Sequence, residues 1–272
     1  MRTHPPVAAA TPNRVGELLR AWRTRGRLSQ LEVGLTAGVS SRHLSFIETG
    51  RARASAELLV ALADVLDMPL RERNALLLAA GFAPRYAQTD LAAPSMAAMQ
   101  QAITRVLDAH DPYPGIALDR HWNVAVANAA AQRMLGVVAP ELRGLPHNVF
   151  RLGLHPQGIA AVTANFDEWG RHMLRELQRL AEGSADETLT ALLDEVRAYP
   201  NVQALLARPA AVPSEHGLIV PCVLDIAGRR LALFTTLATF GSPRDVTLAE
   251  LTVELFYPAD AATEAALRAM AS

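Results

Sequence analysis

The stretch from Gly26 to Arg51, G-R-L-S-Q-L-E-V-G-L-T-A-G-V-S-S-R-H-L-S-F-I-E-T-G-R, reads as two short helices around a tight turn. Ser29 supplies an N-cap, and Glu32 three residues later closes a capping box. Leu31, Val33 and Leu35 are the apolar positions of the first helix. Ala37-Gly38-Val39-Ser40 makes the turn, where Gly38 can take the positive φ that a helix end often needs. Ser40 or Ser41 caps the second helix, Leu44 and Ile47 face inward, and Gly50 stops it.

This layout turns one face of the second helix outward, with Ser40 at its start and Ser41, Arg42, Ser45 and Phe46 along it. Short polar groups and an Arg on a first turn suit a major groove, where Arg bonds guanine bidentately and Ser meets several base edges. Gln30 would lie over the phosphate backbone, as would Arg51 and Arg53 just beyond the second helix. The competing reading is a helical hairpin with a solvated outer face. Ser-Gln, Ala-Gly-Val-Ser and Ile-Glu-x-Gly-Arg at this spacing favour DNA, although each piece alone is weak. Together they resemble the helix-turn-helix of the xenobiotic-response-element class, the phage repressor and Cro-like domain, from about Asn13 to Phe82. The resemblance implies a phosphate contact at Gln30 and groove positions at Ser41, Arg42 and Phe46. Phe46 departs from the polar residue usual there, so it either meets a thymine methyl or covers the helix.

At 272 residues the chain has room for two domains or one large one. All 26 basic residues are Arg, with no Lys. Residues 1–85 hold 12 Arg against 7 acidic residues, whereas residues 86–272 hold 14 against 20. A basic N-terminal part ahead of an acidic remainder fits one module on nucleic acid and one kept off it. Cys222 is the sole cysteine, which excludes a disulfide or a thiolate metal cluster within one chain. Met1 to Thr11 lacks the pattern of a signal peptide, and no 18-residue apolar run reads as a membrane span. A cytoplasmic protein is expected.

Along the chain, residues 1–12 read as disordered and residues 13–82 as a five-helix DNA-binding domain. Residues 83–94 read as a linker, and residues 95–272 as a second, α/β domain. Val15, Leu18, Leu19 and Trp22 set the first helix; Ser55 to Leu66 and a stretch opened by Pro69 set the last two. Met96, Met99, Ile103, Val106 and Leu107 mark a helix that either starts the second domain or serves as a dimer contact. From Pro114 to Val137 follow two short strands, Ile116–Leu118 and Asn123–Ala127, then a helix capped by Asn128 and ended by Gly136. This order looks like the opening of a PAS domain. Asp186 to Tyr199 reads as a helix, Leu218 to Ile226 and Arg229 to Phe240 as a hairpin, and Leu248 to Tyr257 as a last strand. Leu231, Leu233, Thr235 and Leu237 alternate with Ala232, Phe234, Thr236 and Ala238, so the strand is buried on both faces or lines an apolar cavity.

Between these elements lies H-N-V-F-R-L-G-L-H-P, from His147 to Pro156, followed by a helix containing Asn165, Glu168-Trp169 and His172-Met173-Leu174. With the PAS-like opening and the repressor-type start, this resembles the MmyB-like transcription regulators of actinobacteria, from Asn13 to about Phe256. The resemblance implies a PAS-like ligand-binding domain whose known kind of occupant is a fatty acid.

Motifs for phosphate loops, zinc hydrolysis, nucleophile elbows or dinucleotide binding are missing. His147 and His155 stand eight apart across an expected loop without a carboxylate partner, which argues against a metal, and haem attachment lacks its C-x-x-C-H. Cys222 reads as a small core residue. Trp122, Phe166, Trp169, Met173 and Phe234 read as core or pocket lining. Asn148, Arg151, His155, Asn165 and His172 either anchor loops or hold a ligand's polar head, with Arg151 the first choice for a carboxylate.

These readings converge on an all-α repressor-like head followed by an α/β PAS-like domain: a sequence-specific DNA-binding regulator, not an enzyme. Its expected partners are a palindromic double-stranded operator, an apolar small molecule such as a fatty acid or similar lipid, and a second copy of the chain. No other cofactor, no metal and no membrane is expected. Two alternatives stay open: a dimeric regulator whose second domain is purely structural, and a small-molecule-modifying enzyme with a DNA-binding appendage.

Overall fold

The computed structural model describes residues 13–144, 146–184, 186–209 and 219–271. The expected disorder of residues 1–12 lies outside them. The chain divides into two units, one of residues up to Thr89 together with Ser242–Ala249, the other of Asp90–Gly241 and Glu250 onward.

The first unit holds α1 (Arg14–Arg25), α2 (Gln30–Thr36), α3 (Ser41–Glu48), α4 (Ala56–Val65) and α5 (Leu70–Ala79). Ser29 and Glu32 form the capping box in both directions. Gly38 has φ +73°, and a Cβ on Gly34 would sit 2.7 Å from the Val39 carbonyl oxygen, so the turn holds α2 and α3 in close approach. Leu19, Val33, Leu44, Ile47, Leu59, Leu62 and Leu76 make the core. Leu31 and Leu35 do not join it, being 58% and 73% exposed. Four residues apart, they share one helical face, and Val33 points the opposite way.

A buried carboxylate sits at the centre of this unit. The Glu48 side chain is 1% exposed and accepts from Arg23 Nε (2.6 Å) and Nη2 (3.0 Å) and from Gln30 Nε2 (2.8 Å). Burial alone would raise its pKa; the Arg23 and Gln30 hydrogen bonds and the charges of Arg23 and Arg20 reverse this and leave it lowered. Asn13 caps α1 and donates to the Glu48 carbonyl at 3.0 Å, tying the helix's start to the end of α3.

Residues past Phe82 are held to this same unit rather than spanning freely. Asn74 Oδ1 accepts from the amides of Arg85 and Tyr86, and its Nδ2 donates to the Tyr86 carbonyl. The Asp245 carboxylate accepts from the amide and hydroxyl of Thr89, and the Val246 amide donates to the Ala87 carbonyl at 2.8 Å.

The second unit starts with α6 (Ala97–Asp108), β1 (Gly115–Leu118), β2 (Val124–Ala127) and α7 (Ala129–Met134). It continues with α8 (Val149–Leu154), α9 (Phe166–Ser184), α10 (Glu187–Arg197) and α11 (Pro200–Leu206). The chain then forms β3 (Cys222–Ile226) and β4 (Arg229–Thr239), passes through α12 (Val246–Ala249) in the first unit, and ends with β5 (Thr252–Pro258) and α13 (Ala261–Ala271). The sheet is antiparallel throughout, in the order β2-β1-β5-β4-β3. With helices inserted between its second and third strands, this is the PAS-like arrangement expected of the segment.

Ile103 and Leu107 of α6 pack on one sheet face, against Ala117 and Val253, so α6 belongs to this domain's own core. The other face, carrying Ile116, Leu118, Leu224, Leu233 and Phe256, meets the inserted helices. Several elements depart from the sequence reading. The stretch between His147 and His155 is a helix, α8, too short at 6 residues to show a period. Leu248 lies in α12 and the last strand starts at Thr252, while α11 and α13 were not expected. Beyond Phe234, β4 has one solvent-facing stretch, with Leu237 52% exposed.

Removing one partner of a buried ion pair strands the other charge. Arg23→Ala is expected to destabilise the helical unit by about 2–4 kcal/mol at pH 7. Because the fold lowers the Glu48 pKa, its charged form contributes stability above the ordinary carboxylate range, and that contribution fades as pH falls through the folded value. Urea unfolding of the full chain checks this: the loss should shrink in acid, and a loss constant with pH would refute the role of the charge.

Candidate DNA-reading face and ligand pocket

Ser40, rather than Ser41, caps α3: its hydroxyl oxygen accepts from the His43 amide at 3.1 Å. Arg42 is exposed, with its guanidinium 5.4 Å from the centre of the half-buried Phe46 ring. Ser41 and Ser45 are half-buried on the helix, and Arg51 and Arg53 are exposed after it. Gln30 also has a structural partner. Its amide nitrogen donates one N–H to the Glu48 carboxylate, because a buried charge needs donors, which leaves the second N–H of the amide for a phosphate.

The second unit contains a slot of two adjoining chambers between the sheet and the inserted helices. An inner chamber of about 130 Å³ adjoins an outer one of about 300 Å³. Val149, Trp169, Met173, Cys222, Leu233 and Phe256 border both. Together the chambers reach the lower part of the range of small-molecule sites, roughly 300–1,000 Å³. The inner walls are aliphatic and aromatic; the outer chamber adds His172, Glu176, Thr235 and Glu254. Trp122 also borders it, at φ +65° and with its ring 5.1 Å from that of Phe150.

Five of the ten residues expected to line a pocket are therefore placed there: Trp122, Trp169, His172, Met173 and Phe234, the last with its ring stacked on Tyr257. The other five have structural partners elsewhere. Asn148 caps α8 and donates to the His121 carbonyl at 2.8 Å. Arg151 is clamped by both oxygens of Glu195 at 2.7 Å, so its fork is already filled. His155 lies edge-on to Tyr199 and accepts from the Gln157 amide. Asn165 pairs with the backbone of Pro221 and Val223, fastening the start of α9 to β3. Phe166 packs into the core of α8 to α11.

Cys222 and Glu254 are among the slot residues that the sequence reading did not assign to it. The Cys222 thiol is pushed up to about 12 by burial, with the nearby Glu254 charge adding to it, so it is a wall rather than a nucleophile. Glu254 is 8% exposed, and its Oε2 has no hydrogen-bond partner. Burial raises its pKa from 4.5 to about 7, against a smaller lowering by the Thr235 hydroxyl. The signal for it was present: Thr252-Val253-Glu254-Leu255-Phe256-Tyr257 carries one acid within an apolar strand.

The MmyB-like transcription regulator ligand binding domain family matches residues 99–270, the whole of the slot and its sheet. The chain belongs to the MmyB-like transcription regulators. A helix-turn-helix family matches residues 19–73 of this regulator. The MmyB-like chain is thus a DNA-binding transcription regulator with a ligand-binding domain. No curated protein matches it. Among solved structures, the PAS domain from Bordetella pertussis BvgS is similar at 13% identity, covering 64% of this chain and 95% of that one with a TM-score of 0.29. Among the described residues, no helix of the regulator is long and apolar enough to cross a membrane.

The raised pKa of Glu254 makes a prediction with a fixed sign. The folded chain holds this proton more tightly than the unfolded chain, so stability falls as pH rises from 4.5 to about 7. Glu254→Gln removes that penalty, and its stability relative to the parent should climb by on the order of 3 kcal/mol between pH 4.5 and 8. Denaturant melts at both pH values measure the difference; an equal gap at the two would show that Glu254 does not titrate in this window.

Proposed function

We propose that the regulator binds a palindromic operator as a homodimer, and that a lipid-like small molecule in the slot shifts its DNA affinity. The observation that carries this reading is the pair of adjoining, largely apolar chambers. A purely structural dimerisation domain calls for a filled core. A single reading helix makes a small interface, so two heads on half-sites about 34 Å apart supply the affinity. The apolar walls suit a hydrocarbon tail. The carboxylate head of a fatty acid loses its expected partner, since Arg151 is bound to Glu195. In this reading occupancy favours one spacing of the heads and so shifts a population.

On the DNA side, Arg42 reads a base and Arg51 and Arg53 hold phosphates, with Ser41, Ser45 and Phe46 completing the groove face. Arg42→Ala is expected to cost roughly 1–3 kcal/mol on the operator and to relax one base position. Arg51→Ala should weaken all sequences alike and flatten the salt dependence by about one unit. Identical effects of the two substitutions on random and specific DNA would refute this division.

The sensor reading is tested by mass spectrometry of an organic extract of the purified chain, followed by operator titrations with and without the recovered compound. A stoichiometric lipid that changes operator affinity by about 5- to 150-fold is expected. Equal affinity with and without it would leave the slot uncoupled from DNA.

A further inference from the structure

Glu254 faces the outer chamber with an unpartnered oxygen at 8% exposure. We propose that the slot is selective for an amphipathic amine, whose hydrocarbon part enters the inner chamber while its ammonium group meets the Glu254 carboxylate. This rests on the reading of the slot as a ligand pocket and adds the chemistry of the head group. A second carboxylate, Glu176, borders the same chamber, paired with Arg179 on its own helix. Among the described residues no Arg borders either chamber, and the chain has no Lys. A carboxylate ligand would therefore enter beside like charges with no Arg or Lys lining the chambers to receive it. An ammonium finds an acceptor that lacks a partner, and the rings of Trp122, Trp169 and Phe256 add faces that attract cations.

The groups around Glu254 define how binding should depend on pH. Cys222 on β3 stays protonated, since burial pushes its thiol up to about 12. From α9 come His172 and Glu176. The strands on either side of β5 place Ile116 and Leu237 opposite Glu254, with Thr235 beside it, none of them titratable. Burial holds Glu254 protonated at lower pH, so amine affinity should rise as that proton leaves, through about pH 7.

The test is calorimetric titration of the full-length chain with octylamine, octan-1-ol and octanoate between pH 6 and 8.5. At pH 8 octylamine is expected to bind about tenfold more tightly than octanol, with octanoate weakest, and its affinity should climb from pH 6 to 8. In Glu254→Gln the amine-to-alcohol ratio should fall to within about twofold and the pH dependence should flatten. The profile of the unaltered chain supplies a readout that does not depend on how the variant folds. Octanoate matching the amine, or an amine preference that survives Glu254→Gln, overturns the proposal. A pH rise that persists in Glu254→Gln but vanishes in His172→Gln assigns the titration to His172 and overturns it too. Equal binding of amine and alcohol removes this inference and leaves the pocket standing; binding of none of the three removes both.

Discussion

The second domain depends on β5 being paired along both edges. Hydrogen bonds to β1 on one side and β4 on the other leave the strand no freedom of register, and a one-residue slip would exchange its two faces. That register sends Val253 and Leu255 toward α6, and Glu254 and Phe256 toward the inserted helices. It also aligns Ile116, Thr235 and Leu237 on the same side as Glu254, because directly paired residues face together. The slot is thus a consequence of strand pairing before it is a consequence of side-chain shape. The register fixes which face that carboxyl occupies, and its burial there raises its pKa.

The helical unit solves the same problem in the opposite way. Glu48 is as buried as Glu254, yet it is surrounded by donors: the Arg23 fork, the Gln30 amide and, at 3.6 Å, Arg20. There the charge is held and the pKa falls; in the slot the Thr235 hydroxyl alone does not offset burial and the pKa rises. A satisfied buried charge fixes the mutual placement of α1, α2 and α3, which is what a rigid reading head requires. An unsatisfied one leaves an acceptor for something the chain does not itself provide.

Legibility in the sequence followed the locality of the interactions. The capping box, the Gly38 turn and the inward Leu44 and Ile47 are set by residues within a few positions of one another, and they read off correctly. The strands β1 and β2 and the Asn128 cap are equally local, and with the family resemblance they carried the PAS-like topology. What the sequence left hidden were several hydrogen-bond partners distant in the chain. Gln30 was read outward because Glu48 lies 18 residues on, and Arg151 was read as a ligand clamp because Glu195 lies 44 residues on. Leu31 and Leu35 are apolar yet exposed, since their four-residue spacing places them on the face away from Val33. Glu254 was passed over since a single acid in a strand gives no sign of which face it will occupy until the register is known.

The connectivity bears on how a filled slot could reach DNA. The two strands that carry Leu233, Glu254 and Phe256 are consecutive in the chain, and the segment between them belongs to the helical unit. Within that unit, Asp245 and Val246 are fastened to Ala87 and Thr89 by the Thr89 and Val246 hydrogen bonds. Residues 87–89 are in turn the continuation of the Asn74-anchored stretch after α5. In the proposed reading, a ligand that favours one arrangement of β4 and β5 would act through covalent connection on a segment whose hydrogen-bond partners lie in the DNA-binding unit. Such a path transmits only the difference in the ligand's affinity for two arrangements. An interaction concentrated on one group of one of those strands, as at Glu254, is the kind that makes that difference large.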